Sequence, residues 1–548
     1  MPAATGSRSD DKYFLWFSDI HYDPYYATKD AFRAPYNIQA GCNSTSIPSV
    51  GKIGCDSPKA LVTSALEYAS EIAASPSFII LSGDSVRHGV DMLYATGRQF
   101  HEGSESRNDN EVEMAANSEY HTDAMKKAGD IINDLVAVFA EVYPEVEVII
   151  CLGNNDVVPD YYLQLQEDEI SEDSGMLSVI YSALNNEEER SDNIQVGEQR
   201  RSRRLLSTKD KSIFLKGGYY SRVLPDGLTL LSINTVLYCP VFLPKPSNAD
   251  DPGGQFTWMR KMLTNIRERG NSQAIIVGHV PPANSLLNAH LDVVGSFRHS
   301  QLWKEKYINI YYEIIQEFDD VIAGQLFGHL HTDEFRVGVG RSAIPSSIST
   351  PLLLAGSLTP LHGNNPSFRK VFYGGAGIGD DNNFKLLDYE SHRFPMSDSN
   401  AGDWSKLYTF SETYSTAAED IKAEGLSANV FRSILQSMKD KGGKESPTLQ
   451  SFRSLVGSGS VGDFESSRTE DDCDAECRAE WLCTISGTTT TNQYNKCLLQ
   501  ERGSGWYVIG LAVATVLAIA LFMTVILTKR RRKRDLYELI EGNVEMEQ

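Results

Sequence analysis

The chain has 548 residues, too many for one compact core, which argues for one large domain with appendages. With 41% hydrophobic and 10% aromatic residues its composition is globular and excludes a chain disordered throughout. Its net charge of -22 argues against a nucleic-acid binder, but a polyanionic substrate stays open, because a divalent metal pair makes a local positive site within an acidic surface.

Residues 1–12 are a polar lead-in with no apolar stretch of the signal-peptide kind, and the expectation is a truncated start rather than a cytosolic body. The apolar run Phe14–Ser18 delivers Asp19-Ile20-His21. In the loop that follows, Cys42 and Cys55 can close a disulfide and Asn43-Ser44-Thr45 is a lone glycosylation sequon. Pro58 opens a segment of helical spacing to Ala74. Phe78-Ile79-Ile80 then runs into Gly83-Asp84, with His88 four residues on. A helix to about Val142 precedes the run Val146–Leu152, which ends in Gly153-Asn154-Asn155-Asp156.

Residues 185–211 pass from acidic to basic without apolar periodicity and read as an exposed, flexible insertion. Order returns with Gly217-Gly218-Tyr219-Tyr220 and the strand Leu228–Asn234. An amphipathic helix over Gln255–Arg267, a strand before Gly278-His279, a helix over Gln301–Phe318 and a strand before Gly328-His329-Leu330-His331 complete an alternation that implies an α/β layered core. Strand-like runs at Leu352–Ala355 and Phe384–Leu387 lead to a helical segment from Trp404, within a subdomain expected over 401–500. It carries Cys473, Cys477, Cys483 and Cys497, which suit an oxidising compartment, although zinc also uses such clusters.

Residues 506–528 contain no charge and are long enough for a transmembrane helix, and the basic hexad Lys529–Arg534 behind them puts the tail 529–548 in the cytosol. The tail segment Asp535-Leu536-Tyr537-Glu538-Leu539-Ile540 resembles endolysosomal sorting patterns that bind adaptors. The expectation is therefore a single-pass membrane protein of a lysosome- or vacuole-like membrane, its body lumenal or extracellular.

Five strand-like runs each end in residues of metal-ligand type. An isolated Asp after Gly is an ordinary turn former, and a single His is more often a hydrogen-bonded structural residue. Five such endings in order read instead as a site. Carboxylates, imidazoles and an amide suit Zn, Mn or Fe rather than a thiolate cage. Two divalent ions about 3.5 to 4 Å apart clamp a phosphate and activate the nucleophile that attacks it.

Asp19-X-His21, Gly83-Asp84, Gly153-Asn154-Asn155-Asp156, Gly278-His279 and Gly328-His329-X-His331 together resemble the five motifs of the calcineurin-like metallophosphoesterases. The resemblance implies a layered β-sandwich flanked by helices, with a catalytic domain over 13–400. It implies that Asp19, His21, Asp84 and His331 hold one divalent metal, and that Asp84 (bridging), Asn154, His279 and His329 hold the other. Cys55-Asp56-Ser57-Pro58, Gly217-Gly218-Tyr219-Tyr220, Gln255-Phe256-Thr257-Trp258, Asn364-Asn365-Pro366-Ser367 and the Cys-bearing tail are similar to the acid-sphingomyelinase-like branch.

One position departs from that branch, which usually has His where this chain has Asn155. Gly153-Asn154-Asn155-Asp156 and Gly83–His88 resemble the endopolyphosphatases instead. An amide does not titrate, so Asn155 cannot protonate a leaving oxygen, and His88 is the candidate proton donor. A leaving polyphosphate needs no acid, which makes internal cleavage of inorganic polyphosphate the first expectation. The alternatives are a phosphodiesterase acting on sphingomyelin or nucleotides and, outside the enzymes, an inactive membrane-anchored binding protein.

Overall fold

Short parallel strands that stop abruptly set the edge on which the site is built. The computed structural model describes residues 12–28, 30, 42, 48–90, 121–165, 175–185, 205–245, 249–270, 272–285, 300–337, 350–375, 384–396, 402–439, 444–459, 473–487, 489–501, 517 and 519–531. In chain order the strands are β1 (Lys12–Phe17), β2 (Ile79–Leu81), β3 (Val148–Ile150), β4 (Tyr220–Val223), β5 (Thr229–Ser232), β6 (Ala274–Val277) and the two-residue pair β7 (Asn284–Ser285) and β8 (Ser300–Gln301). They continue with β9 (Ile322–Phe327), β10 (Glu334–Arg336), β11 (Leu352–Leu354), β12 (Ser367–Gly375), β13 (Phe384–Arg393) and β14 (Ser405–Thr409).

Two six-stranded mixed sheets form, one in the order β14-β13-β12-β1-β2-β3 and the other β10-β11-β9-β6-β5-β4. Within the first, β1, β2 and β3 run parallel, with Trp16 opposite Ile80 and Ile80 opposite Ile149. Within the second, β5, β6, β9 and β11 run parallel. Apart from the first two residues of β1, the parallel strands are buried throughout, as continuous apolar runs require when both faces are covered. The sheets meet face to face: Ser232 Oγ and Tyr220 Oη in the second donate to the Ile150 carbonyl of the first, at 3.0 and 2.9 Å. At Gly324 of β9 a Cβ would stand 2.6 Å from Leu386 Cδ1 of β13, so a larger residue at that crossing would have to move the leucine side chain.

Helices cover the outer faces. Lys59–Ile72 and His121–Val142 bury one apolar stripe each, at i, i+3, i+4 spacing, against the first sheet, and Gln255–Arg269 and Glu305–Glu317 do the same on the second. The segment expected to be helical from Trp404 begins instead with the edge strand β14, which pairs with β13 before the helices Ala428–Met438, Pro447–Val456, Ala475–Ile485 and Thr491–Glu501. The first two of these helices pack on Phe335 of β10 through Phe431 and Phe452, and Phe410 and Tyr414 just after β14 touch the same ring. Of the insertion expected over 185–211, residues 186–204 lie outside the described residues; at its far end Leu205 and Leu206 are buried and Thr208–Gly217 is helical, so that end is not an exposed loop.

Among the described residues no helix is long and apolar enough to cross a membrane. This corrects the span expected over 506–528, and with it the single-pass orientation, the membrane anchoring and the lysosome- or vacuole-like membrane residence. The described helical residues of this run, 519–531, extend about 20 Å at 1.5 Å per residue, less than a hydrocarbon core of about 30 Å, and they include Lys529, Arg530 and Arg531. Residues 502–516, the tail with its sorting pattern and adaptor contacts, and the Asn43 sequon lie outside the described residues. The eight cysteines form three disulfides, Cys42–Cys55, Cys473–Cys477 and Cys483–Cys497, and two buried thiols, Cys151 and Cys239. The C-terminal cluster is thus cross-linked rather than zinc-binding, with bonds of the kind that form in secreted and lumenal proteins.

A candidate dinuclear metal centre

Five of the parallel strands end at the same edge, and the turn behind each brings one or two polar side chains into a shared space between the sheets. Asp19 and His21 follow β1, Asp84 follows β2, Asn154 and Asn155 follow β3, His279 follows β6, and His329 and His331 follow β9. The turns are sharp. Asp19, His21, Asp84, His329 and His331 all take positive φ, at 48°, 44°, 51°, 72° and 57°. Such a backbone costs on the order of 1–3 kcal/mol at each non-glycine residue and persists only where the surroundings over-determine it.

The glycines of the motifs make room. A Cβ on Gly83, itself at φ 91°, would stand 2.5 Å from the His279 ring; one on Gly153 would stand 2.1 Å from Asp84 Oδ1, and one on Gly328 2.6 Å from Asp19 Oδ2. Each Gly therefore lets a neighbouring strand's functional side chain pass over it.

Two groups result whose ligand atoms lie within 4.8 Å of one another: Asp19, His21 and His331, and Asp84, His279 and His329. In the first, His331 Nε2 is 3.4 Å from Asp19 Oδ1. In the second, His279 Nε2 is 3.1 Å from Asp84 Oδ2 and 3.2 Å from Asn154 Oδ1. Asp84 Oδ2 also faces the first group, 3.4 Å from His21 Nε2. All seven expected ligands therefore converge, with Asp84 between the two groups.

Backbone partners fix the rings. His279 Nδ1–H donates to the Ser82 carbonyl at 2.8 Å and His21 Nδ1–H to the Val86 carbonyl at 3.2 Å, so Nε2 of each ring is turned toward the carboxylates. The His329 amide donates to both Asp19 oxygens, at 3.0 and 2.9 Å, and Ser18 Oγ donates to Oδ2. Asp156 ties the loops after β2 and β3 together, accepting from the amides of Ser85, Val86 and Gly153 at 2.8, 3.0 and 2.8 Å.

The electrostatics are those of a site built for cations. Burial lifts the Asp19 pKa to about 7, and the charge of Asp84 adds to the rise. Burial also opposes the charge of Asp84, yet the imidazoles of His279 and His21 hold it well below the ordinary carboxylate range. For His279 burial opposes protonation, but Asp84 and Asp19 lift its pKa to about 9. His21 and His329 fall to about 3, first through burial and then through the neighbouring imidazoles, so both are neutral with lone pairs to share. His21 Nε2 is buried with no hydrogen-bond partner, and so is Asn155 Oδ1. An all-oxygen and imidazole donor set with orphaned acceptor atoms fits divalent Zn, Mn or Fe.

The two expected catalytic positions divide. Asn155 turns inward, donating through its amide N–H to Asp84 Oδ1 and through Nδ2 to Asp84 Oδ2, each at 2.8 Å. His88 stands at the rim, half-buried, its ring stacked 3.9 Å from that of His21. Its Nδ1 lies 3.0 Å from Asp56 Oδ1, and its amide donates to Asp56 Oδ2 at 2.9 Å. Burial works against its charge, but the Asp56 carboxylate more than offsets this and raises the His88 pKa.

His21, Asp56 and His88 also cluster closely enough to suggest a third cation. The parallel stacking argues otherwise, because the in-plane lone pairs of stacked rings do not converge on one point. Sequence reading gave Asp56 no role, although it sits in the Cys55–Pro58 signature. It also missed His362, which no motif marks and whose ring lies 4.5 Å from that of His331.

No family model matches the chain. The acid sphingomyelinase-like phosphodiesterase 3b of Homo sapiens is 27% identical over 433 residues, covering 75% of this chain and 77% of the relative. The sphingomyelinase phosphodiesterase D of Dictyostelium discoideum is 24% identical over 393 residues, covering 71% and 72%. The cyclic GMP-AMP phosphodiesterase of Homo sapiens is 24% identical over 498 residues, covering 89% and 90%. Among solved structures, a dimetal phosphatase from Danio rerio matches over 72% of this chain and 98% of its own, with a TM-score of 0.35 and 10% identity.

Proposed function

Because the chain is a homologue of the acid-sphingomyelinase-like phosphodiesterases and a metal-dependent hydrolase, we propose that it cleaves phosphodiesters, of the sphingomyelin or nucleotide kind, at the edge where its two sheets meet. The relatives favour this reading over the polyphosphate hydrolysis expected from Asn155, and they set aside the non-enzymatic one. In this reading Asp19, His21, Asp84 and His331 hold one divalent ion, and Asp84, Asn154, His279 and His329 hold the other. Ions bound there supply Lewis acidity toward the phosphate oxygens and lower the pKa of water.

The observation that carries the reading is the His88–Asp56 pair beside the metal cluster. A phosphodiester loses an alkoxide, a strong base that needs a proton, whereas a polyphosphate does not. Asp56 accepts from Nδ1–H and stabilises the imidazolium, the form that carries a second proton at Nε2. That proton goes to the leaving oxygen, so the acid role passes from position 155 to position 88. Asn155 is left to orient Asp84 through its two hydrogen bonds.

The test is hydrolysis by the purified chain, with zinc or manganese supplied, of sphingomyelin, a cyclic dinucleotide and inorganic polyphosphate side by side. Turnover of at least one phosphodiester above polyphosphate supports the reading. Turnover of polyphosphate alone overturns it.

A further inference from the structure

The expected ligands come from both sheets: Asp19, His21, Asp84 and Asn154 from the first, His279, His329 and His331 from the second. The spacing of the two metal groups therefore depends on how one sheet is registered against the other. Apolar burial between sheets is non-directional and leaves that register loosely defined. The β9–β10 connection, like the turn after β1, holds two ligands at positive φ, His329 and His331, and so needs its position defined.

Asp333 lies two residues beyond His331 and is buried in the seam. Its carboxylate accepts from three strands of the opposite sheet: the Arg369 guanidinium of β12, Ser391 Oγ of β13 at 2.6 Å and Tyr408 Oη of β14 at 2.6 Å. Its amide donates to the Val456 carbonyl at 2.8 Å. Arg369 is itself 1% exposed and stands between the rings of Trp16 and Tyr389, 5.2 and 4.3 Å from their centres. Trp16 Nε1–H in turn donates to Ser82 Oγ at 2.8 Å, and the Ser82 carbonyl holds His279 Nδ1. One continuous path of directional contacts thus links the loop of His329 and His331 to the strand ends of Asp19 and Asp84 and to His279.

We propose that the Arg369–Asp333 pair locks the register of the two sheets at the metal centre, making both residues positioning residues for His329 and His331. The inference rests on the reading that this centre holds two metal ions. A buried charged pair suits the task, because its hydrogen bonds are directional and a slip that separates the charges leaves them unpaired in the seam. Arg serves better than Lys, since one arm of its planar guanidinium reaches Asp333 while the group lies near the rings of Trp16 and Tyr389.

The experiment is zinc binding by the metal-free full-length chain, measured in competition with a chromophoric chelator, for wild type, Arg369→Lys, Asp333→Asn, Tyr408→Phe and a control, Ile315→Ala. Ile315 is buried in the Glu305–Glu317 helix, so its truncation lowers thermal stability without touching the seam path. Arg369→Lys and Asp333→Asn should weaken zinc binding about 10- to 100-fold, and Tyr408→Phe should weaken it in the same direction, while Ile315→Ala leaves it unchanged. If the two charge-site variants fail to fold, Tyr408→Phe decides, with hydrogen exchange at the His329 amide as its second readout; that exchange should quicken. Wild-type zinc affinity in the variants, or equal weakening by Ile315→Ala, overturns the register lock and leaves the metal centre standing. A wild-type chain that takes up no zinc overturns the metal centre, and the lock with it.

Discussion

Gly153 lies so close against Asp84 that a Cβ at position 153 would stand 2.1 Å from Asp84 Oδ1. Asp84 is also held by both donors of Asn155, so it cannot swing aside without losing them. Gly153→Ala should therefore displace the central carboxylate, leaving a folded chain with metal affinity reduced about 10- to 100-fold. Equilibrium dialysis with zinc measures this, and an unaltered affinity would show that Asp84 is not fixed as described.

Asp84→Asn tests the same carboxylate by charge rather than position. Without its negative charge the two groups of imidazoles would hold two cations with little compensation between them. Hydrolysis should fall to background, and metal content should drop when measured by elemental analysis on the purified variant. Full activity with both metals retained would end the bridging role.

His88→Ala and Asp56→Asn should act as a pair. On a diester with a poor alkoxide leaving group each should cost about 100- to 10,000-fold, and far less on one that releases nitrophenolate, which leaves without a proton. A plot of rate against leaving-group pKa should steepen in both variants. Equal losses on all substrates would refute the proton-donor assignment.

The Cys42–Cys55 disulfide closes a loop with a sequence separation of 13 that ends next to Asp56. Replacing both cysteines with alanine should lower stability by about 3 kcal/mol through the freed unfolded chain, read from denaturant unfolding. It should also weaken turnover on poor leaving groups more than on good ones, because the residue that holds His88 is no longer tethered.

Much of the centre was legible because parallel strands concentrate it: each buried run ends at one edge, so a polar residue after Gly marks a position in space as well as in sequence. Asp84, Asn154, His279 and His329 each follow such a Gly, whereas the full ligand set, with Asp19, His21 and His331, comes from the resemblance of the five motifs. The left-handed backbone of Asp19, His21, Asp84, His329 and His331 was not legible, since nothing in an Asp or His side chain announces positive φ. The pairs that decide geometry were hidden by distance along the chain. Asp56 meets His88 across 32 residues and Asp333 meets Arg369 across 36, and neither spacing has a periodic signature.

The central claim is that two metal ions and a phosphodiester meet at this edge. It is tested most directly by titrating the metal-free chain with zinc or manganese while following hydrolysis of a phosphodiester. Activity should rise to a break at two equivalents of metal per chain and vanish on chelation. A break at one equivalent, or full hydrolysis in the presence of chelator, would contradict it.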